Sequence, residues 1–172
     1  MKNISIAFAT TLFLASVAVA ADAPNDAQIA SIVVTANQVD IDVGKLAQSR
    51  GSNAQVKAFG KQMVTDHTAV NKQAVALVNK LKVKPEDNPT SQSLKSGGDE
   101  NAKSLKKLKG AAFDKAYIDH EIAYHQQVID AINKTLIPNA KNAELKQLLE
   151  KGLPLFVGHL EHAKQIQSSL GK

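Results

Sequence analysis

The chain of 172 residues contains no cysteine and carries a formal net charge of +5 at pH 7. The lack of cysteine excludes disulfides and thiolate sites, so a metal ion would have to bind His, Asp, Glu or Tyr. Arg50 is the single arginine and only 4% of residues are aromatic, whereas nucleic-acid-binding surfaces usually combine arginine with stacking rings. This composition argues against a nucleic-acid partner and leaves open weak contact with anionic components of a cell envelope.

The first twenty residues have the pattern of a secretory signal peptide. Lys2 precedes an uncharged apolar run from Ile4 to Val17, and Ala18-Val19-Ala20 supplies the small-x-small cleavage pattern. A helix over that run would be roughly 20 Å long, too short for the ~30 Å core of a membrane, and no later segment is apolar enough to span one. We therefore expect export to the periplasm, no membrane span, and one helical-bundle domain over residues 21–172.

Helical periodicity dominates the remaining chain, and it predicts an all-α fold, a four-helix bundle. The first helix is expected to begin at Asn25 or Asp26, both good N-cap residues, and to end near Gly51. Its apolar seam, which starts at Ile29, contains Asp40. A carboxylate in that position is expected to face the core.

A second helix is expected to follow, with Asp66 and His67 in the middle of its apolar seam and with Pro85 and Pro89 ending it. Residues 90–110, rich in Lys, Ser and Gly, predict a long, partly helical connection. Such a connection either crosses the length of the bundle, as ferritin-like folds require, or folds back locally. The sequence does not separate these two topologies.

The third long helix is predicted over residues 111–136, and Pro138 is expected to follow its end. His125 lies in the middle of its apolar seam, and Glu121 and Tyr117 lie on neighbouring turns within reach of it. This helix therefore contributes one imidazole and two oxygen-bearing side chains to the predicted core.

A fourth helix is expected to be capped by Asn142, with His159 at the centre of its seam. Pro154 predicts a kink or a break at residues 150–152. Counting the ideal rise along each helix places His159 about a turn and a half from the level of His125. This mismatch weakens a site shared by all four helices, although the irregularity at Pro154 would absorb part of it.

Polar side chains therefore interrupt all four seams, and burying such groups costs free energy unless they have partners. One interpretation is a core site for a single transition-metal ion (Fe, Zn, Mn or Cu), held by imidazoles with carboxylates assisting. The candidate ligands are His67, His125, His159, Asp40, Asp66 and Glu121.

Two other interpretations belong to different classes of protein. The polar residues would form a hydrogen-bonded core in a non-catalytic envelope stress or structural protein, or the Lys-rich segment 95–109 would bind a partner. The paired Glu and Glu-x-x-His signature of di-iron proteins is absent, as are nucleophile and phosphate-loop motifs, so nothing indicates an enzyme.

Four stretches of the chain resemble a known family in combination. They are Asp40–Ala47, Met63–Asn71, Phe113–Tyr117 with His125, and Pro154–His159 with Ala163. Together they resemble the domain-of-unknown-function family DUF4142, over nearly the whole chain after residue 20. The resemblance implies an exported bacterial protein with a ferritin-like bundle, and it implies no agreed activity. Members of the family usually carry Glu at the position of Asp40.

Overall fold

The computed structural model describes residues 23–170, so the predicted signal peptide lies outside the described residues. The predicted all-α class is confirmed, because the described part of the chain is helical without a strand. Its elements are α1 (Asp26–Arg50), α2 (Ala54–Lys80), α3 (Pro89–Lys106), α4 (Gly110–Ala131), a π-helical turn (Ile132–Leu136), the single turn α5 (Ile137–Asn139) and α6 (Ala143–Leu170). Within residues 23–170, no helix is both long enough and apolar enough to cross a membrane.

The segment between α2 and α4 is partly helical, as predicted, and its helical part is one continuous helix of 18 residues. Asn88 and Ser91 form a capping box at its start, and Pro89 occupies the first turn, where its missing N–H is harmless. The side chain of Asn88 also donates to the carbonyl of Gln28, near the start of α1. At the other end of α3, the Arg50 guanidinium donates to the carbonyl of Lys106. The segment therefore runs beside α1 and crosses the length of the bundle.

This crossing makes α2 and α4 run in the same direction. Asp114, in the first turns of α4, accepts hydrogen bonds from the backbone N–H groups of Ser52 and Asn53 at the start of α2. At the opposite end, Asp26 accepts from the backbone N–H groups of Lys141 and Asn142, just before α6. Both α1 and α6 therefore begin at the same end, where α2 and α4 finish.

Helices α1 and α2 pack unusually close together, and two glycines permit this. A Cβ atom at Gly60 would lie 2.7 Å from the carbonyl oxygen of Gly44 and 2.7 Å from the Cβ of Ala47. Both distances are shorter than van der Waals contact, so only glycine fits at this crossing. The close approach brings the face of α1 that carries Asp40 against α2.

The helical path continues past two prolines. Pro138 does not follow the end of the third helix as predicted; the helical path passes through the π-helical turn and α5, and Pro138 lies in the first turn of α5. Helix α6 is continuous through Pro154, so the break at 150–152 is absent, and the kink at Pro154 stays a prediction. Buried Leu149 and Phe156 pack on either side of Pro154 and hold the helix against the core despite one lost backbone hydrogen bond.

The core consists of two apolar clusters with a polar layer between them. In α1, Val39 belongs to the first cluster and Val43 to the second, with Asp40 between them. In α6, Phe156 and Ala163 lie in different clusters on either side of His159. The polar residues predicted from the seams therefore meet in one layer across the bundle.

Candidate metal centre

Three histidines from three helices converge in the polar layer. His67 on α2 and His125 on α4 are 0% exposed, and His159 on α6 is 1% exposed. One nitrogen atom of each ring lies within 4.8 Å of the others. The mismatch in level that was expected for His159 is therefore wrong, and the predicted set of three imidazoles is brought together.

A hydrogen bond at one of its two ring nitrogens orients each imidazole. The three bonds are between His67 Nδ1 and Asn37 Oδ1 (2.8 Å), His125 Nδ1 and the Glu121 carbonyl (3.0 Å), and His159 Nε2 and Asp66 Oδ2 (2.9 Å). The amide of Asn37 donates to the Val33 carbonyl, so its oxygen must accept from His67. All three partners are hydrogen-bond acceptors, which fixes the proton on the bonded nitrogen.

The other nitrogen of each ring has no hydrogen-bond partner among the described residues. These atoms are His67 Nε2, His125 Nε2 and His159 Nδ1. Because the first nitrogen of each ring carries the proton, these three hold free lone pairs. Buried imidazoles with one nitrogen held by an acceptor and the other free have the arrangement of metal ligands in proteins.

Two buried carboxyl groups lie beside the imidazoles. Asp40 Oδ2 is 3.5 Å from His67 Nε2, and Glu121 Oε2 is 3.4 Å from His125 Nδ1. Oxygen atoms of Asp40 and Glu121 also lie within 4.8 Å of a His125 nitrogen. Both Glu121 oxygens, Asp40 Oδ1 and the Tyr117 hydroxyl have no hydrogen-bond partner in residues 23–170. Such unsatisfied buried polar atoms are rare in folded proteins unless an ion or water binds them.

Burial keeps these groups in their uncharged forms when no cation is present. It lowers the pKa of His67 to about 2 and that of His125 to about 4, and in both cases a neighbouring histidine adds to the effect. Burial raises the pKa of Glu121 to about 8 and that of Asp40 well above its ordinary value. The imidazoles are therefore neutral at pH 7, while the two carboxyl groups require a positive charge nearby in order to ionise.

The metal-free protein is expected to lose stability between pH 6.5 and pH 8. The pKa of Glu121 is about 8 in the folded protein and 4.5 in the unfolded chain. As the pH rises, the unfolded chain loses this proton before the folded protein does, which favours unfolding. The free energy of unfolding should then fall by up to ~1.4 kcal/mol per pH unit, and Asp40 acts in the same direction. His67 and His125, with folded pKa values below 6.5, destabilise the fold only under more acidic conditions.

Melting temperatures of chelator-treated protein across this pH range test the expectation. Glu121→Gln should flatten the decline, whereas Glu100→Gln, at an exposed position of α3, should leave it unchanged. An equal decline in both variants would mean that Glu121 is not the group responsible.

The other residues considered in the sequence lie at different distances from the three imidazoles. The side chain of Asp66, a predicted ligand, is 28% exposed, and its carboxylate binds His159 Nε2. Asn37 was missed, although it lies three residues before Asp40 and therefore on the same helix face. His120 and His162 are half-buried and lie outside the convergent groups.

Comparisons with known proteins identify a family without an assigned activity. No curated protein sequence and no solved structure matches the chain. A family model matches residues 13–166, a range that includes every candidate ligand named above. Its description is a domain of unknown function, DUF4142, and the chain belongs to this family.

Proposed function

We propose that this protein binds one transition-metal ion in the core of its helical bundle. His67, His125 and His159 supply three nitrogen ligands, and Asp40 supplies an oxygen ligand beside His67. The observation that carries the proposal is the convergence of three buried imidazoles, each of which has one nitrogen without a hydrogen-bond partner among the described residues. A purely hydrogen-bonded polar core would satisfy these atoms with protein partners.

The donor set limits which ions the site would take. Three imidazoles and a carboxylate suit Zn²⁺, Fe²⁺, Mn²⁺ or Cu²⁺, and no thiolate is present to favour a softer ion. The positive charge of the ion would allow Asp40 and Glu121 to ionise, which removes the cost of burying them without partners. Glu121 and Tyr117 line the same layer, where they would orient the ligands or the ion.

The proposal also includes the topology and the location of the protein. The parallel course of α2 and α4, joined by a helix that crosses the bundle, supports a ferritin-like arrangement. The signal-peptide pattern of residues 1–20 supports export, which would place the metal centre in the periplasm.

Metal content of the natively processed protein tests the proposal. Protein purified from periplasm without an affinity tag should contain about one equivalent of Fe, Zn, Mn or Cu by mass spectrometry. A His67→Ala/His159→Ala variant should contain less than about a tenth of that, because two of three nitrogen ligands are removed.

The chain offers a matched control with the same chemical change. His120→Ala/His162→Ala removes two half-buried imidazoles outside the layer and should keep the metal. Equal metal in both variants would place the ion elsewhere. Wild-type protein that is free of metal as purified, and that binds none of these ions when titrated, would mean that the histidines are structural.

A further inference from the structure

A cavity of about 540 Å³ lies between α1, α3, α4 and α6, next to the histidine layer. Its walls are mostly apolar side chains, among them Val33, Leu94, Val128 and Leu149. Small-molecule sites in proteins typically have volumes of roughly 300–1,000 Å³ and largely apolar walls. The cavity therefore has the size and the lining of a ligand site.

Helix α3 covers this cavity without filling it. Ser91 and Leu105 are its buried residues, and Gly98 lies against Val39 of α1, where a Cβ atom would be 2.7 Å from Val39 Cγ2. Gly97 also lines the cavity, and a Cβ atom there would meet nothing within 4 Å. Gly98 thus allows α3 to lie close to α1.

The lining residues exclude a charged occupant. None of them is Asp, Glu, Lys or Arg, and burial lowers the pKa of His120, which keeps its ring neutral at pH 7. Two polar groups of the wall next to the histidine layer are already bonded: the Tyr124 hydroxyl donates to the Ala36 carbonyl, and the Asn37 amide donates to the Val33 carbonyl. The other polar side chains of the lining are uncharged, so an ion in this space would have no oppositely charged partner, whereas an apolar molecule needs none.

We propose that the cavity binds a small uncharged apolar molecule. Its inner wall is shared with the histidine layer, because the Phe156 ring lies 5.3 Å from that of His67 and 6.2 Å from that of His125. The bound molecule therefore lies against the candidate metal centre. Its binding depends on the apolar walls and requires no ion, so this site and the metal site are tested separately.

Fluorescence titration with N-phenyl-1-naphthylamine, a neutral apolar probe, tests this site in chelator-treated, metal-free protein. Gly152 lines the cavity, and a Cβ atom there would touch only the Phe156 ring, at 3.6 Å. Gly152→Leu should therefore fill part of the space and raise the Kd for the probe at least about tenfold. Gly158→Leu makes the same change in the same helix at an exposed position with open surroundings, and should leave the Kd unchanged.

Two further arms complete the experiment. Decanol should displace the probe at least about tenfold better than decanoate, because no cationic side chain lines the cavity to pair with the carboxylate. Leu94→Ser replaces an apolar side chain of the α3 wall with a polar one and should also weaken binding of the probe, including when Gly152→Leu fails to fold. Failure of the wild type to bind the probe, equal binding in the filling and control variants, or better displacement by decanoate would each overturn the proposal.

Discussion

Saturating Zn²⁺ is expected to raise the melting temperature of the wild-type protein by roughly 10 °C and to leave that of a His125→Ala variant unchanged. An ion that binds only the folded state at a thousand times its Kd adds ~4 kcal/mol to the free energy of unfolding. In a domain of this size each kcal/mol corresponds to about 2–4 °C. His125 belongs both to the group of three histidines and to the group with Asp40 and Glu121, so its loss should abolish the stabilisation by Zn²⁺.

The same measurement separates the metal site from a structural polar core. His120→Ala should keep the full increment, because His120 lies outside the convergent groups. If Zn²⁺, Mn²⁺, Fe²⁺ and Cu²⁺ all leave the wild-type melting temperature unchanged, the buried histidines only fix the packing of the helices. An equal increment in His125→Ala would mean that the stabilising ion binds at another site.

Gly60→Ala is expected to lower the free energy of unfolding by about 3 kcal/mol, the upper end of typical overpacking effects. The added methyl group would lie 2.7 Å from the carbonyl oxygen of Gly44 and 2.9 Å from the backbone nitrogen of Gln48. Backbone atoms of a packed helix do not move aside as the end of a flexible side chain does, so α1 and α2 must separate. Urea denaturation of the metal-free variant measures the effect.

Gly158→Ala is the matched control for this substitution. Its Cβ atom would meet nothing within 4 Å, so only the better helix propensity of alanine acts there. The expected result is a gain of ~0.5–1 kcal/mol. A Gly60→Ala variant as stable as this control would show that the crossing of α1 and α2 tolerates a wider separation.

The starts of α1 and α6 were predictable because a local capping signal determines them. The side chains of Asn25 and Asn142 accept backbone hydrogen bonds at the starts of α1 and α6, as the sequence indicates. Helix α3 was missed as a continuous helix because its Ser, Lys and Gly residues give a weak apolar seam. Its conformation depends on packing against α1, through contacts such as Gly98 with Val39, which are distant in sequence.

The sequence predicted which residues form the candidate site better than it predicted their relative positions. His67, His125 and His159 were found because a polar residue within an apolar seam must have a partner. The level predicted for His159 was wrong because an ideal rise counted from each helix start ignores the packed offsets between helices. The role of Asn37 was missed because a short polar side chain one turn from Asp40 gives no signal of its own.

The burial of the three imidazoles also has a kinetic consequence. The three imidazoles come from α2, α4 and α6, and they are at most 1% exposed. An ion bound by them would have no open face toward solvent, so neither a chelator nor a competing metal would reach it directly. Release would wait for a local opening of the bundle, and the rate of exchange would be set by that opening. Such a centre would retain its ion by slow exchange as well as by affinity.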